Sequence, residues 1–176
     1  MIKWKFEVDK PIFMVLFGHS VKELIRRWDE FKNYDCLWAS MNNCDHLATF
    51  MEFPIDILAY YCTHINCDLY PHKNWLHESE ARGNSLYEFV LQCKENNVRD
   101  LILFGADGYS EDKTPYIYGT KGYTKNHIKE CEHFNANLPQ DMKINIVNVS
   151  PHSHYNLNNI TYDEFLNNFS YKKKNT

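Results

Sequence analysis

The sequence predicts an α/β fold, with one mostly parallel sheet of five strands or slightly more flanked by helices. Short continuous apolar runs recur along the chain, as buried strands of a parallel sheet require. Most of the segments between them place apolar residues at helical spacing behind a capping signature. The clearest run, Leu101, Ile102, Leu103 and Phe104, stops at Gly105 and is followed by Asp107, Gly108 and Tyr109. Polar groups on a glycine-permitted turn after a buried strand stand where open α/β sheets bind their ligands.

Pro11 to Phe17 is the first such run, and it ends at Gly18-His19-Ser20. Ser20 and Glu23 have capping-box spacing, and Val21, Leu24, Ile25, Trp28 and Phe31 predict one helix behind them. A strand, a glycine turn and a helix start together present backbone N–H groups to an anion. Asp35 to Met41 reads as the second strand, ending at Asn42-Asn43. A helix over Cys44 to Met51 closes at Pro54, and Ile55 to Tyr61 is the third strand. Ile65 to Trp75 loses periodicity and reads as a loop.

Ser85 and Glu88 mark a second capping box for a helix carrying Leu86, Phe89, Val90 and Cys93, which delivers the chain into the strand at Leu101. Glu111 to Gly122, with Tyr116 and Tyr118, reads as a flexible loop or lid. Thr124 opens a helix through Phe134, and Ile144 to Val149 is the fifth strand, leaving Ser150-Pro151-His152-Ser153-His154 at its end. Thr161 and Glu164 form a third capping box before Phe165 and Phe169. The expected sheet is Rossmann-like and doubly wound, with the first and fourth of these five strands adjacent and the ligand cleft between them.

The chain has 176 residues, one domain's worth, with residues 1–171 forming the domain and 172–176 a basic tail. A net charge of -4 gives no sign of a nucleic-acid surface. No apolar run is long enough to span a bilayer and the N-terminus lacks a signal-peptide core, so the expected location is cytoplasmic. The six cysteines form no C-x-x-C pair and are expected to be free thiols. Cys62, His64, Cys67, His72 and His77 are ligand types without a familiar metal spacing, so no metal or other cofactor is expected. No P-loop, nucleophile elbow or complete dinucleotide fingerprint occurs.

Several of these turns together resemble the bacterial sialyltransferases of the Campylobacter type and the Maf-like motility-accessory glycosyltransferases of surface-polysaccharide loci. Gly18-His19-Ser20-Val21-Lys22-Glu23 is similar to that group's Gly-x-Gly-Pro-Ser-Leu-Lys-Glu turn. Asn42 or Asn43 corresponds to its asparagine after the second strand. Arg82 and Ser85 match its Arg-x-x-Ser, and Gly105, Asp107 and Tyr109 match its Gly-x-Asp-x-Tyr turn, with the spacing from Arg82 to Tyr109 kept without a gap. Asn148-Val149-Ser150-Pro151 continues the likeness.

The resemblance implies a nucleotide-sugar-dependent glycosyltransferase with a CMP-linked donor, such as a nonulosonic acid, and a surface-glycan acceptor. It implies nucleotide or substrate contacts at Gly18, His19, Ser20, Asn42, Asn43, Arg82, Ser85, Asp107, Tyr116, Ser150, His152 and His154. Arg82 suits a phosphate or sugar carboxylate, and the Tyr109 phenol suits a departing phosphate oxygen. Tyr123, His127, His152 and His154 are the candidate bases, and Tyr109, Tyr123 and His127 the candidate catalytic residues. The group's base is a histidine where this chain has Tyr123, its first-turn asparagine is replaced by Phe17, and its lid is longer. A phenol is a weak base at neutral pH. The alternative is therefore a nucleotide-binding or sequestering module that has lost the base. Oligomeric state is left open.

Overall fold

The computed structural model describes residues 9–41, 57–62, 75–77, 85–109 and 125–171. In chain order the elements are β1 (Ile12–Val15), α1 (Val21–Arg26), α2 (Trp28–Phe31), β2 (Leu37–Met41), β3 (Ile57–Cys62) and β4 (Trp75–His77). There follow α3 (Ser85–Glu95), β5 (Asp100–Phe104), α4 (Lys125–Asn137), β6 (Asn145–Val149), β7 (Asn158–Asn159) and α5 (Tyr162–Asn168). The strands make one seven-stranded sheet in the order β4-β3-β2-β1-β5-β6-β7, every neighbouring pair parallel. The expected Rossmann-like α/β arrangement is present. Strand order reverses between β1 and β5, which are the predicted first and fourth strands.

Side-chain alternation along each strand divides the core into two layers. Phe13, Val15, Trp38, Phe104 and Val149 point to one face, where Leu24 of α1, Phe31 of α2 and Phe165 of α5 cover them. Ile12, Met14, Leu101, Leu103 and Ile146 point to the other, under Phe89 and Val90 of α3 and Phe134 of α4. The first layer is aromatic. Phe13 makes edge contacts with Trp38 at 5.3 Å and Phe165 at 5.8 Å, a geometry that adds to simple area burial. Cys36, Cys93 and Cys131 are buried.

Several expectations need correction. The single helix predicted over Ser20 to Phe31 is broken at Arg27, whose φ of -104° and ψ of 19° lie outside the helical range. Trp28 and Phe31 beyond the break pack in the same aromatic layer as Val21 and Leu24 before it. The segment read as a loop up to Trp75 gives way at that residue to β4, and β7 is a further unpredicted strand. Both are too short to show a period in sequence, and pairing with β3 and β6 creates them. The helix expected over Cys44 to Met51 and the lid over Glu111 to Gly122 lie outside the described residues.

Candidate functional site

At the reversal point the β1 and β5 ladder runs on beyond the strands. Leu16 N–H donates to Phe104 O at 2.8 Å and Gly18 N–H to Gly105 O at 2.9 Å. Gly105 has φ +75°, and a Cβ there would lie 2.4 Å from Leu16 O, so only glycine lets the two turns approach this closely. Beyond it, Asp107 gathers the ends of three strands.

The Asp107 carboxylate accepts from the Ser20 N–H at 2.8 Å, from the Ser20 hydroxyl, and from the Ser150 hydroxyl at 2.6 Å. Its backbone carbonyl accepts from His154 N–H at 2.9 Å. Gly18 makes room for it, since a Cβ there would stand 2.7 Å from the carboxylate carbon. The turns after β1, β5 and β6 are thus held by one side chain. The predicted capping box of Ser20 and Glu23 does not form: Ser20 has helical φ and ψ of -63° and -22°, its N–H donates to Asp107 in place of Glu23, and the Glu23 N–H donates to Ser20 O at 3.1 Å. Glu23 pairs instead with Arg26, whose guanidinium holds the Glu23 carboxyl below its ordinary range. The anion facing the Ser20 N–H, where the sequence suggested a ligand phosphate, is the protein's own carboxylate.

A second set of bonds secures the histidine-bearing turn after β6. Ser153 Oγ donates to Ala106 O at 2.6 Å, and the buried Asn148 side chain donates to the same carbonyl at 3.0 Å and to Asn159 Oδ1 at 2.9 Å. From α4, Asn135 Nδ2 donates to His154 O at 2.9 Å while its Oδ1 accepts from Asn156 N–H at 2.7 Å. Tyr109 and His154 stack, with ring centroids 3.8 Å apart and planes 12° from parallel. Gly108 turns the chain between Asp107 and Tyr109 at φ +89°. Against it lies Cys131, whose thiol burial pushes up to about 11, so it is no nucleophile at neutral pH.

The structure brings together Gly18, Ser20, Asp107, Tyr109, Ser150 and His154. His19 lies in the same first turn, and His152 is exposed on the same loop as His154. Ser85 is the first residue of α3, and His127 lies in the first turn of α4. Both helices enter the sheet from its carboxyl edge, since each leads into a parallel strand. Near His127, half-buried Glu130 has its carboxyl raised by burial, an effect the histidine opposes. Asn42, Asn43, Arg82, Tyr116, Tyr118 and Tyr123 lie outside the described residues.

Sequence reasoning missed Asn135 and Tyr162, and it named Ser153 and Asn148 only as members of the stretch that ends the fifth strand. Tyr162 of α5 donates to Ser20 O at 3.0 Å, and burial drives its phenol far above the ordinary range. Asn148 alone carries a signal, being polar amid Ile146, Val147 and Val149. Asn135 lies on a polar helix face and gives none.

Among the described residues, no three His, Cys, Asp or Glu side chains are grouped to hold a metal ion, and no helix is long and apolar enough to cross a membrane. Comparison with family models, with curated proteins and with solved structures finds no match.

Proposed function

We propose that this chain binds a nucleotide sugar at the carboxyl edge of its sheet and transfers the sugar to a glycan hydroxyl, with a CMP-linked donor as the first choice. The observation that carries the reading is the meeting of three turns, Gly18 to Ser20, Gly105 to Tyr109 and Ser150 to His154, at the strand-order reversal between β1 and β5. Ligands of open α/β sheets lie at such points. The same three turns carry most of the described residues in the sialyltransferase-like and Maf-like resemblance, which supplies the donor class.

In such a transfer the bond between the anomeric carbon and the phosphate oxygen breaks. Its electron pair goes to the phosphate, while the acceptor oxygen bonds to the anomeric carbon and gives its proton to a base. Groups at the Tyr109 end of the site would stabilise the phosphate charge, and His127 or Tyr123 would take the proton. One observation favours a second reading. The Ser20 N–H and hydroxyl, donors in the first turn, are already bound to Asp107, so the site has less to offer a leaving phosphate and suits a module that binds nucleotide without transferring sugar.

Calorimetry with CMP, CDP, UDP and NAD, followed by a hydrolysis assay on CMP-linked and UDP-linked sugars, separates these readings. The expected result is preferred binding of CMP and release of CMP from its sugar conjugate. Binding without turnover of any sugar nucleotide leaves the module reading, and absence of nucleotide binding removes both.

A further inference from the structure

His154 is held in an unusual way for an exposed residue. Its N–H is bound by Asp107 O, its carbonyl by Asn135 Nδ2, and the chain two residues on by Asn135 Oδ1. Its imidazole lies flat on Tyr109 at 3.8 Å, and none of these bonds uses a ring nitrogen. Gly108 fixes the other half of the pair, since a Cβ there would stand 3.1 Å from His154 Cβ on a backbone at φ +89°. Exposed side chains ordinarily keep their rotamer freedom, and ordering one has an entropic cost. Here both backbone polar groups and one ring face are engaged, while among the described residues no hydrogen bond to the ring edge is seen.

A flat imidazole on a phenol face is suited to one electrostatic task. The face of an aromatic ring is negative and attracts a cation within about 6 Å of its centre, and the His154 ring lies on the Tyr109 face at 3.8 Å. The charged form has two N–H donors and no acceptor, which matches an oxyanion. The titratable groups on the surrounding elements include Asp107 on the β5 turn, His152 on its own loop, His19 after β1, and His127, Lys129, Glu130, Cys131, Glu132 and His133 on α4.

We infer that His154, as imidazolium carried on the ring of Tyr109, is the group that contacts the ligand's phosphate, and that Asn135 is its positioning residue. Tyr109 then acts through its ring rather than its hydroxyl. The inference rests on the reading that the ligand carries a phosphate ester, and it assigns that ester to the β6 turn because the Ser20 donors are occupied by Asp107.

The test is a titration of the full chain with inorganic phosphate and separately with CMP, following the histidine ring protons by NMR, with His154→Gln identifying the resonance. The His154 signal is expected to move and saturate with both probes, and binding to tighten between pH 8 and pH 6. Phosphate affinity should fall about ten-fold in His154→Gln, Asn135→Ala and Tyr109→Ala, and less than about two-fold in Tyr109→Phe. In Asn135→Ala the pH dependence of binding should flatten, which simple loss of stability does not produce. A His154 signal unmoved by either probe overturns the inference without reference to any variant. Equal losses in Tyr109→Phe and Tyr109→Ala also overturn it, because they place the contact on the hydroxyl. If phosphate moves His154 and CMP does not bind, the nucleotide-sugar reading fails and the inference stands. If CMP binds and leaves His154 unmoved, the reverse holds.

Discussion

The starts of α1 and α5 carry the same local signature and end in different structures. At α5, Thr161 and Glu164 form a complete capping box: the Thr161 hydroxyl accepts from Glu164 N–H at 3.1 Å, and the Glu164 carboxylate accepts from Thr161 N–H at 2.7 Å. At α1, Ser20 and Glu23 have the same spacing, yet Ser20 serves a carboxylate 87 residues away and Glu23 turns to Arg26. The Asp107 carboxylate takes the Ser20 N–H that the Glu23 carboxylate would accept in a capping box, and the Glu23 N–H donates to Ser20 O at 3.1 Å. A capping motif therefore states what a helix start can do on its own. Where strand ends converge, a tertiary partner can take the same atoms.

Removing Asp107 breaks this contrast most severely. Asp107→Ala leaves Ser20 and Ser150 without their acceptor and unties the turns of β1 and β6 from β5. We expect a loss of about 3 kcal/mol in urea unfolding together with loss of nucleotide binding. A stability change below about 1 kcal/mol would mean that the three turns are held by backbone pairing alone.

Double-mutant cycles sharpen the comparison at a smaller scale. Thr161→Ala should cost about 1 kcal/mol, and Ser20→Ala a similar amount. The coupling partners should differ, however, with Thr161 coupled to Glu164 and Ser20 coupled to Asp107. A measurable coupling between Ser20 and Glu23 would show that the box at α1 forms in solution.

The smallest effect is electrostatic. Both Glu164 and Glu23 have carboxyl groups lowered from the ordinary 4.5, the first mainly by the Thr161 backbone N–H and the second mainly by the Arg26 side chain. A carboxyl lowered on folding stabilises above its unfolded pKa, and that contribution fades as pH falls through the folded value. Both contributions should therefore disappear on acidification below about 4.5. Salt should shrink the Glu23 shift, which depends on an exposed ion pair, and spare more of the Glu164 shift. Carboxyl NMR titrations in low and high salt read both, and equal salt sensitivity would remove the distinction.

Much of the fold was legible because burial leaves a period in the sequence. The runs at Ile12 and Leu101 marked the two strands that meet at the reversal, and the glycines at 18, 105 and 108 marked turns with no room for a side chain. The site was legible in part for the same reason. Asp107, Tyr109, Ser150 and His154 all stand just after strands. Asn135 was not legible, since an asparagine on a polar helix face looks the same whether it meets water or another loop. Arg27 was equally silent, because Val21, Leu24, Ile25, Trp28 and Phe31 keep one helical period across the break.

By itself, then, the sequence determined the succession of strands and helices, the two-layered core and the turns where polar residues gather, because hydrophobic spacing and glycine restrict the local backbone. The tertiary structure alone decided the partners. It set Ser20 against Asp107 instead of Glu23, added β4 and β7 through pairing, and laid His154 on Tyr109 under the hold of Asn135. Hydrogen-bond partners are chosen by competition among all groups within reach. Residues such as Ser20 and Asp107 come within reach of one another only once the sheet has formed.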